Sequence, residues 1–231
     1  MNPVPIQNAS LLMQVSSMDR FLNLNIVILF TLNNSEVQAM VSPTPKRKAI
    51  IVNGLPASGK STVAREMARS FNLPILARDT IQEALYDVIG TGDREYNRML
   101  GRAGMAVIWA VINNFPLDAS VIIDTWCRYP PYDWVAQGRA TAGIDRFVKI
   151  WCHASGEILS SRYLSRVGVR HPGYPGKDFA VELIEIAKKT GPMGIGDLFL
   201  VDTSSPQSVD IQKMSSWVAE KLNIRPAKPI T

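Results

Sequence analysis

The sequence predicts a three-layer α/β/α sandwich around a mainly parallel five-stranded sheet. Five short apolar runs, at 49–53, 74–77, 120–124, 147–152 and 197–201, are hydrophobic on both faces, as parallel strands covered by helices must be. Helix-compatible stretches at 60–71, 79–88, 94–114, 131–142, 154–167, 179–189 and 208–222 fall between the runs. That alternation is the one that right-handed crossovers fold into a covered parallel sheet. The first run also passes through a glycine-rich turn directly into the first helix, and ligands of such sheets sit at the carboxyl ends of the strands.

With 231 residues, 46% hydrophobic and 19% charged, the chain is long enough for one ordinary core and too apolar for a fibrous or disordered protein. The net charge of +5 suits a partner that carries phosphate, whether nucleotide, nucleic acid or acidic metabolite. Cys127 and Cys152 stand outside any C-x-x-C or Cys/His cluster, so they read as core thiols of a reducing, cytoplasmic protein. Residues 1–42 read as a poorly structured leader and 43–231 as the functional domain, with Met40 the expected start. The apolar run at 26–30 falls well short of the roughly 20 residues a membrane span needs, so no membrane is expected. The stretch before it carries Asp19 beside Arg20 instead of the basic head of a signal peptide.

The most specific element is Gly54-Leu55-Pro56-Ala57-Ser58-Gly59-Lys60-Ser61-Thr62, a full match to G-x-x-x-x-G-K-[ST] between a strand and a helix. Gly54 and Gly59 open backbone conformations that turn successive N–H groups inward to cradle phosphate at a helix N-terminus. Lys60 supplies a point charge for the β and γ phosphates, and the Ser61 hydroxyl is placed to ligate magnesium. The whole segment is therefore the expected triphosphate site. No Asn-Lys-x-Asp motif for reading guanine accompanies it, which leans toward ATP.

Around this loop the pattern extends. Val121-Ile-Ile-Asp124 is an apolar strand ending in a carboxylate, either a magnesium-shell residue opposite the loop or a plain strand-end turn. Asp79, after the second strand and beside Arg78, reads two ways: a helix-start residue that satisfies orphan N–H groups, or the base that takes the proton from an attacking hydroxyl. Arg162, Arg166 and Arg170 recur at spacing four and run into His171-Pro-Gly-Tyr-Pro-Gly176. They form either a solvated basic face or a mobile lid that brings guanidinium groups to developing negative charge. Arg94, Arg98 and Arg102 repeat that spacing, as acceptor contacts or as surface arginines. Trp126, Arg128 and Tyr129 follow Asp124 and are candidates for an acceptor pocket.

These motifs resemble the small P-loop kinase-like proteins of the AAA_33 type, related to chloramphenicol phosphotransferase, zeta-toxin-type kinases and polynucleotide kinases. The resemblance runs over about residues 48–222 and is carried by the loop, Arg78-Asp-Thr-Ile-Gln-Glu-Ala-Leu-Tyr-Asp87, Val121-Ile-Ile-Asp124, Arg170-His-Pro-Gly173 and Val201-Asp-Thr-Ser204. It implies a P-loop fold with a helical lid, ATP with magnesium held by Ser61 and Asp124, and Asp79 as base. It also implies lid arginines at 162, 166 and 170, and Thr203 near the adenine or ribose. The expected activity is transfer of the γ-phosphate of ATP to a hydroxyl of a small molecule. The alternatives are a 5′-hydroxyl polynucleotide kinase, less favoured because no long basic run marks the acceptor side, or an ATPase or regulator without acceptor.

Overall fold

The computed structural model of the chain describes residues 46–127 and 130–227. The chain divides into two units, 1–44 and 45–231, and all described residues belong to the second. The leader expected over 1–42 and the pocket candidates Arg128 and Tyr129 lie outside the described residues. Among the latter the order is β1 (Arg47–Gly54), α1 (Lys60–Phe71), β2 (Ile75–Ala77), α2 (Arg78–Ile89), α3 (Arg94–Asn113), β3 (Ser120–Thr125) and α4 (Asp133–Thr141). There follow β4 (Ile144–His153), α5 (Gly156–Leu164), α6 (Phe179–Lys189), β5 (Asp197–Asp202), a 3-10 turn (Pro206–Ser208) and α7 (Ile211–Leu222).

All five strands run parallel in the order β2-β3-β1-β4-β5. Alternate side chains of each strand enter opposite layers. Ile50, Val52, Ile122, Val148 and Ile150 face α1 and α7, where Met67, Met214 and Val218 close the layer. Ala49, Ile51, Val121 and Ile123 face the other way, against Met105, Ile108, Trp109 and Ile112 of α3. A third cluster joins Leu55 and Ala57 of the loop to Leu159 and Tyr163 of α5 and Phe179 and Leu183 of α6. Ile50 has no exposed surface, so Ile50→Ala costs about 2–5 kcal/mol. Cys127 and Cys152 are buried free thiols, and burial pushes each up to about 12.

Register brings the chemistry to one edge. Val52 pairs with Asp124 and Asn53 with Thr125, while Gly54 pairs with Cys152. On the far side of β3, Ala77 also pairs with Asp124, so β2 delivers the start of α2 to the same end. Helices α4, α5 and α7 are each shorter than the stretches the sequence suggests. The Ser155 side chain accepts the Ile158 N–H and starts α5 at Gly156, and turn bonds from Arg166 to Tyr163 and from Val167 to Leu164 close it after Leu164. Likewise Asp210 caps Lys213, so α7 begins at Ile211 and the preceding residues form the 3-10 turn.

Candidate active site

The glycine-rich loop takes its shape from three local constraints. A Cβ on Gly54 would lie 2.4 Å from Ser58 Oγ and 2.5 Å from the Cys152 carbonyl, so only glycine lets β1 turn there. Gly59 and Ala57 both have positive φ, at 78° and 65°, and the Ser58 N–H closes on the Leu55 carbonyl at 3.1 Å. Asn53 ties the loop to the end of β3, its Oδ1 accepting from Gly54 N (2.8 Å) and Cys127 N (3.0 Å). Lys60 then opens α1 behind Gly59, and the first turn of that helix carries no acidic residue. A helix N-terminus and a lysine with no competing carboxylate on its own turn suit an anion.

The nine loop residues play unequal parts. Pro56, Ala57, Lys60 and Ser61 line a cavity of about 1240 Å³. Leu55 instead packs into the third core cluster, Ser58 is fully buried with an unpartnered Oγ, and Thr62 is exposed, its Oγ1 3.5 Å from Arg65 Nη2.

Asp124 sits beneath this loop. Burial pushes its carboxyl up, against the pull of Lys60 and a hydrogen bond with Ser61. Its Oδ1 is buried without a hydrogen-bond partner. An orphaned carboxylate oxygen next to a serine hydroxyl fits a hard divalent cation, whose other ligands would be phosphate oxygens and water. Among the described residues no cluster of three or more His, Cys, Asp or Glu side chains offers a metal site.

Asp79 stands across the cavity at the start of α2. It does not cap that helix, since the N-cap is Ala77 and makes no side-chain bond. Its Oδ1 accepts from Arg78 Nη2 at 2.7 Å, and Arg170 Nη2 approaches Oδ2 at 3.5 Å. Burial works against the charge, but Arg78, Lys60 and Arg170 outweigh it and hold the carboxyl down at about 2. Asp79 is therefore a fixed anion whose protons would have to come from a bound partner.

The three arginines read as one row point to different places. Because α5 ends at Leu164, spacing four no longer means one face beyond it. Arg162 Nη2 donates to the Thr203 and Ser204 carbonyls at 2.8 and 3.0 Å, away from Asp79. Arg166 and Arg170 line the cavity. Thr203 is likewise turned inward: its hydroxyl lies 2.8 Å from both the Ser58 and His153 carbonyls, strapping the loop from behind. Neither its burial nor these bonds leave the Thr203 hydroxyl facing a nucleotide.

The segment expected to be a mobile lid is docked. Arg170 stacks on the Tyr174 ring at 3.7 Å, and the Tyr174 hydroxyl lies 3.5 Å from the Asp79 carbonyl. His171 stacks on Tyr86 with centroids 4.9 Å apart. Its Nδ1 accepts the Gly173 N–H at 3.0 Å, which leaves Nε2 to donate to Asp87 at 3.2 Å. A Cβ on Gly173 would meet the Tyr86 ring at 2.6 Å, so glycine is required for this fit. Tyr174 and Asn53 escaped the sequence reading. Tyr174 was legible only as part of a proline-glycine break, and Asn53 only as the last residue of an apolar run. Of the second arginine series, Arg94 pairs with Glu182 of α6 (2.7 Å), while Arg98 and Arg102 share Glu95 (3.6 and 3.2 Å).

No family model matches the chain, and no curated protein matches it. Solved structures do. A candidate kinase from Chloroflexus aurantiacus is 27% identical with a TM-score of 0.66, over 77% of this chain and 98% of that one. Kti12 of Chaetomium thermophilum, in complex with ADP-AlF3, is 18% identical with a TM-score of 0.52, over 75% and 98%. A gluconokinase from Sinorhizobium meliloti is 18% identical with a TM-score of 0.50, over 79% and 97%. The all-parallel sheet, the glycine-rich loop and these likenesses define a P-loop kinase-like fold. Among the described residues no helix is long and apolar enough to cross a membrane.

Proposed function

We propose that the protein is an ATP-dependent phosphotransferase that moves the γ-phosphate to a hydroxyl of a small molecule, as the AAA_33-type resemblance implies. The observation that carries the reading is Asp79, an ionised carboxylate clamped by two arginines and lining the same cavity as Lys60 and Ser61. An anion-cradling loop alone serves any nucleotide-binding protein. A carboxylate held opposite it serves transfer to an alcohol.

In this reading the loop amides and Lys60 hold the β and γ phosphates. The acceptor hydroxyl oxygen attacks the γ-phosphorus, the bond to the β–γ bridging oxygen breaks, and the hydroxyl proton passes to Asp79. The products are ADP and a phosphate ester. A carboxyl near 2 is a weak base, which suits a loose transition state in which the hydroxyl loses its proton late. Arg170 and Arg166 face the transferring group and offset its charge. Arg162 acts at one remove by fixing the 203–204 backbone. Ser61 and Asp124 would hold a magnesium ion, which would supply positive charge against that of the phosphates.

The 27% identical candidate kinase supports the same reading. The test is single-turnover transfer from γ-labelled ATP in the presence of cell extract. Label on a small alcohol ester supports the proposal. Label that passes only to water, or to nucleic-acid ends, overturns it.

A further inference from the structure

Three of the chain's five tryptophans, Trp109, Trp126 and Trp134, line the one cavity that also holds Asp79 and Lys60. They come from three elements, α3, the segment after β3, and α4, so local sequence does not cluster them. The Trp126 backbone carbonyl accepts from Arg78 Nη1 at 3.4 Å, which places this residue beside the Arg78–Asp79 pair. Trp109 is packed into the core against α4: it is 6% exposed, and a Cβ on Gly138 would lie 2.2 Å from its Nε1. The indole is thus fixed before any ligand arrives.

Charge is distributed unevenly over this cavity. Lysine, arginines and carboxylates line it at the loop, α2, the lid and the first half of α3. Beyond Arg102 the lining changes to Met105, Ala106 and Trp109 of α3, then Trp134, Gln137 and Thr141 of α4. These positions recur at helical spacing, so whole helix faces contribute, and none of them is ionisable. Arg98 and Arg102 are engaged by Glu95, and Arg78, whose Nη1 reaches the Trp126 carbonyl, is engaged by Asp79 at 2.7 Å. The half-buried indoles of Trp126 and Trp134, with Trp109 buried behind them in the core and one amide and one hydroxyl nearby, suit a ring stacked on an indole face with a neutral polar edge. Among the described residues, this part of the lining offers nothing to neutralise a second anionic group.

Resting on the phosphotransferase reading, we propose that the acceptor is an uncharged ring-bearing alcohol: its hydroxyl lies at Asp79 and its ring packs on the indoles of Trp126 and Trp134. An aryl ring and the C–H face of a sugar share this chemistry. Sugar phosphates and nucleic-acid ends do not.

The test is a binding measurement, so it does not depend on turnover. Tryptophan fluorescence of the Lys60→Ala protein is titrated with benzyl alcohol, phenyl β-glucoside, methyl β-glucoside, glucose 6-phosphate and a 5′-hydroxyl oligonucleotide. Saturable binding of at least one neutral ring, at least about tenfold tighter than either anionic probe, is expected; which neutral probe binds tells aryl from sugar recognition. Trp134→Ala should weaken that binding about fivefold and leave ATP affinity within about twofold. Gln137→Arg, on the exposed side of α4, should strengthen glucose 6-phosphate binding about threefold or more. Tighter binding of an anionic probe, no binding of any neutral probe at millimolar concentration, or indifference to both substitutions overturns the proposal. Neutral rings that bind normally but receive no label from ATP in the unsubstituted protein would instead sink the phosphotransferase reading alone.

Discussion

The Arg170 guanidinium of the lid lies 3.5 Å from the Asp79 carboxylate of α2, joining residues 91 positions apart at the mouth of the cavity. With Arg78 on the other carboxylate oxygen, Asp79 is held by one neighbour in its own turn and one from the lid. The site is therefore complete only when the 170–174 segment is docked.

Replacing Asp79 by Asn keeps the shape and removes the proton acceptor. Turnover should fall at least about 100-fold while the ATP dissociation constant changes by less than about threefold. Equal loss in both, measured by steady-state kinetics and nucleotide titration, would return Asp79 to a purely architectural role.

Acid sensitivity has a definite sign. Asp79 titrates at about 2 in the folded protein against an ordinary value of 3.8, so it binds fewer protons folded than unfolded. Its contribution to stability is full above about pH 4 and is lost as pH falls toward 2. Urea unfolding between pH 5 and 2 should show a shallower decline for Asp79→Asn than for the unsubstituted protein.

Arg162 and Arg170 should separate kinetically despite their equal spacing. Arg170→Ala removes a cation facing the cavity and should lower kcat at least about tenfold at saturating ATP. Arg162→Ala frees the Thr203 and Ser204 carbonyls and should raise the KM for ATP a few-fold with kcat nearly preserved. The reverse pattern would contradict the geometry.

Ser61→Ala and Asp124→Asn each remove one of the two cation ligands proposed for this chain. Both should raise the magnesium concentration that gives half-maximal turnover, on the order of tenfold. Magnesium titrations that superimpose on the unsubstituted protein would discard this assignment.

Gly173→Ala places a methyl group against the Tyr86 ring and should undock the lid without reaching the core. Water would then compete with the acceptor, so the ratio of ATP hydrolysis to transfer should rise several-fold. An unchanged ratio, with thermal midpoint also unchanged, would show that the lid tolerates the side chain.

Much of this site is written in neighbouring residues. A tight turn after β1, the glycine-rich loop over Gly54 to Thr62 and the apolar runs of β1, β3 and β4 depend on dihedral freedom and two-residue periodicity, both local properties. Asp124 was legible because it ends an apolar strand. Register then carried it beside Val52, two residues before the loop begins. The spacing of Arg162, Arg166 and Arg170 misled in one respect: it assumes a helix that the cap and turn bonds end at Leu164.

From sequence alone, then, came the α/β order, the glycine-rich loop, and Lys60, Ser61, Asp79 and Asp124 as candidates in and around it. The tertiary structure alone decided that Arg162 and Thr203 brace the loop from behind, that Tyr174 and Arg170 close on Asp79, and that three tryptophans from separate elements line one cavity. The reason lies in range. Backbone conformation answers to residues within a turn, whereas charge pairing and aromatic contact answer to distance in space, which crossover connections set only once the sheet has assembled.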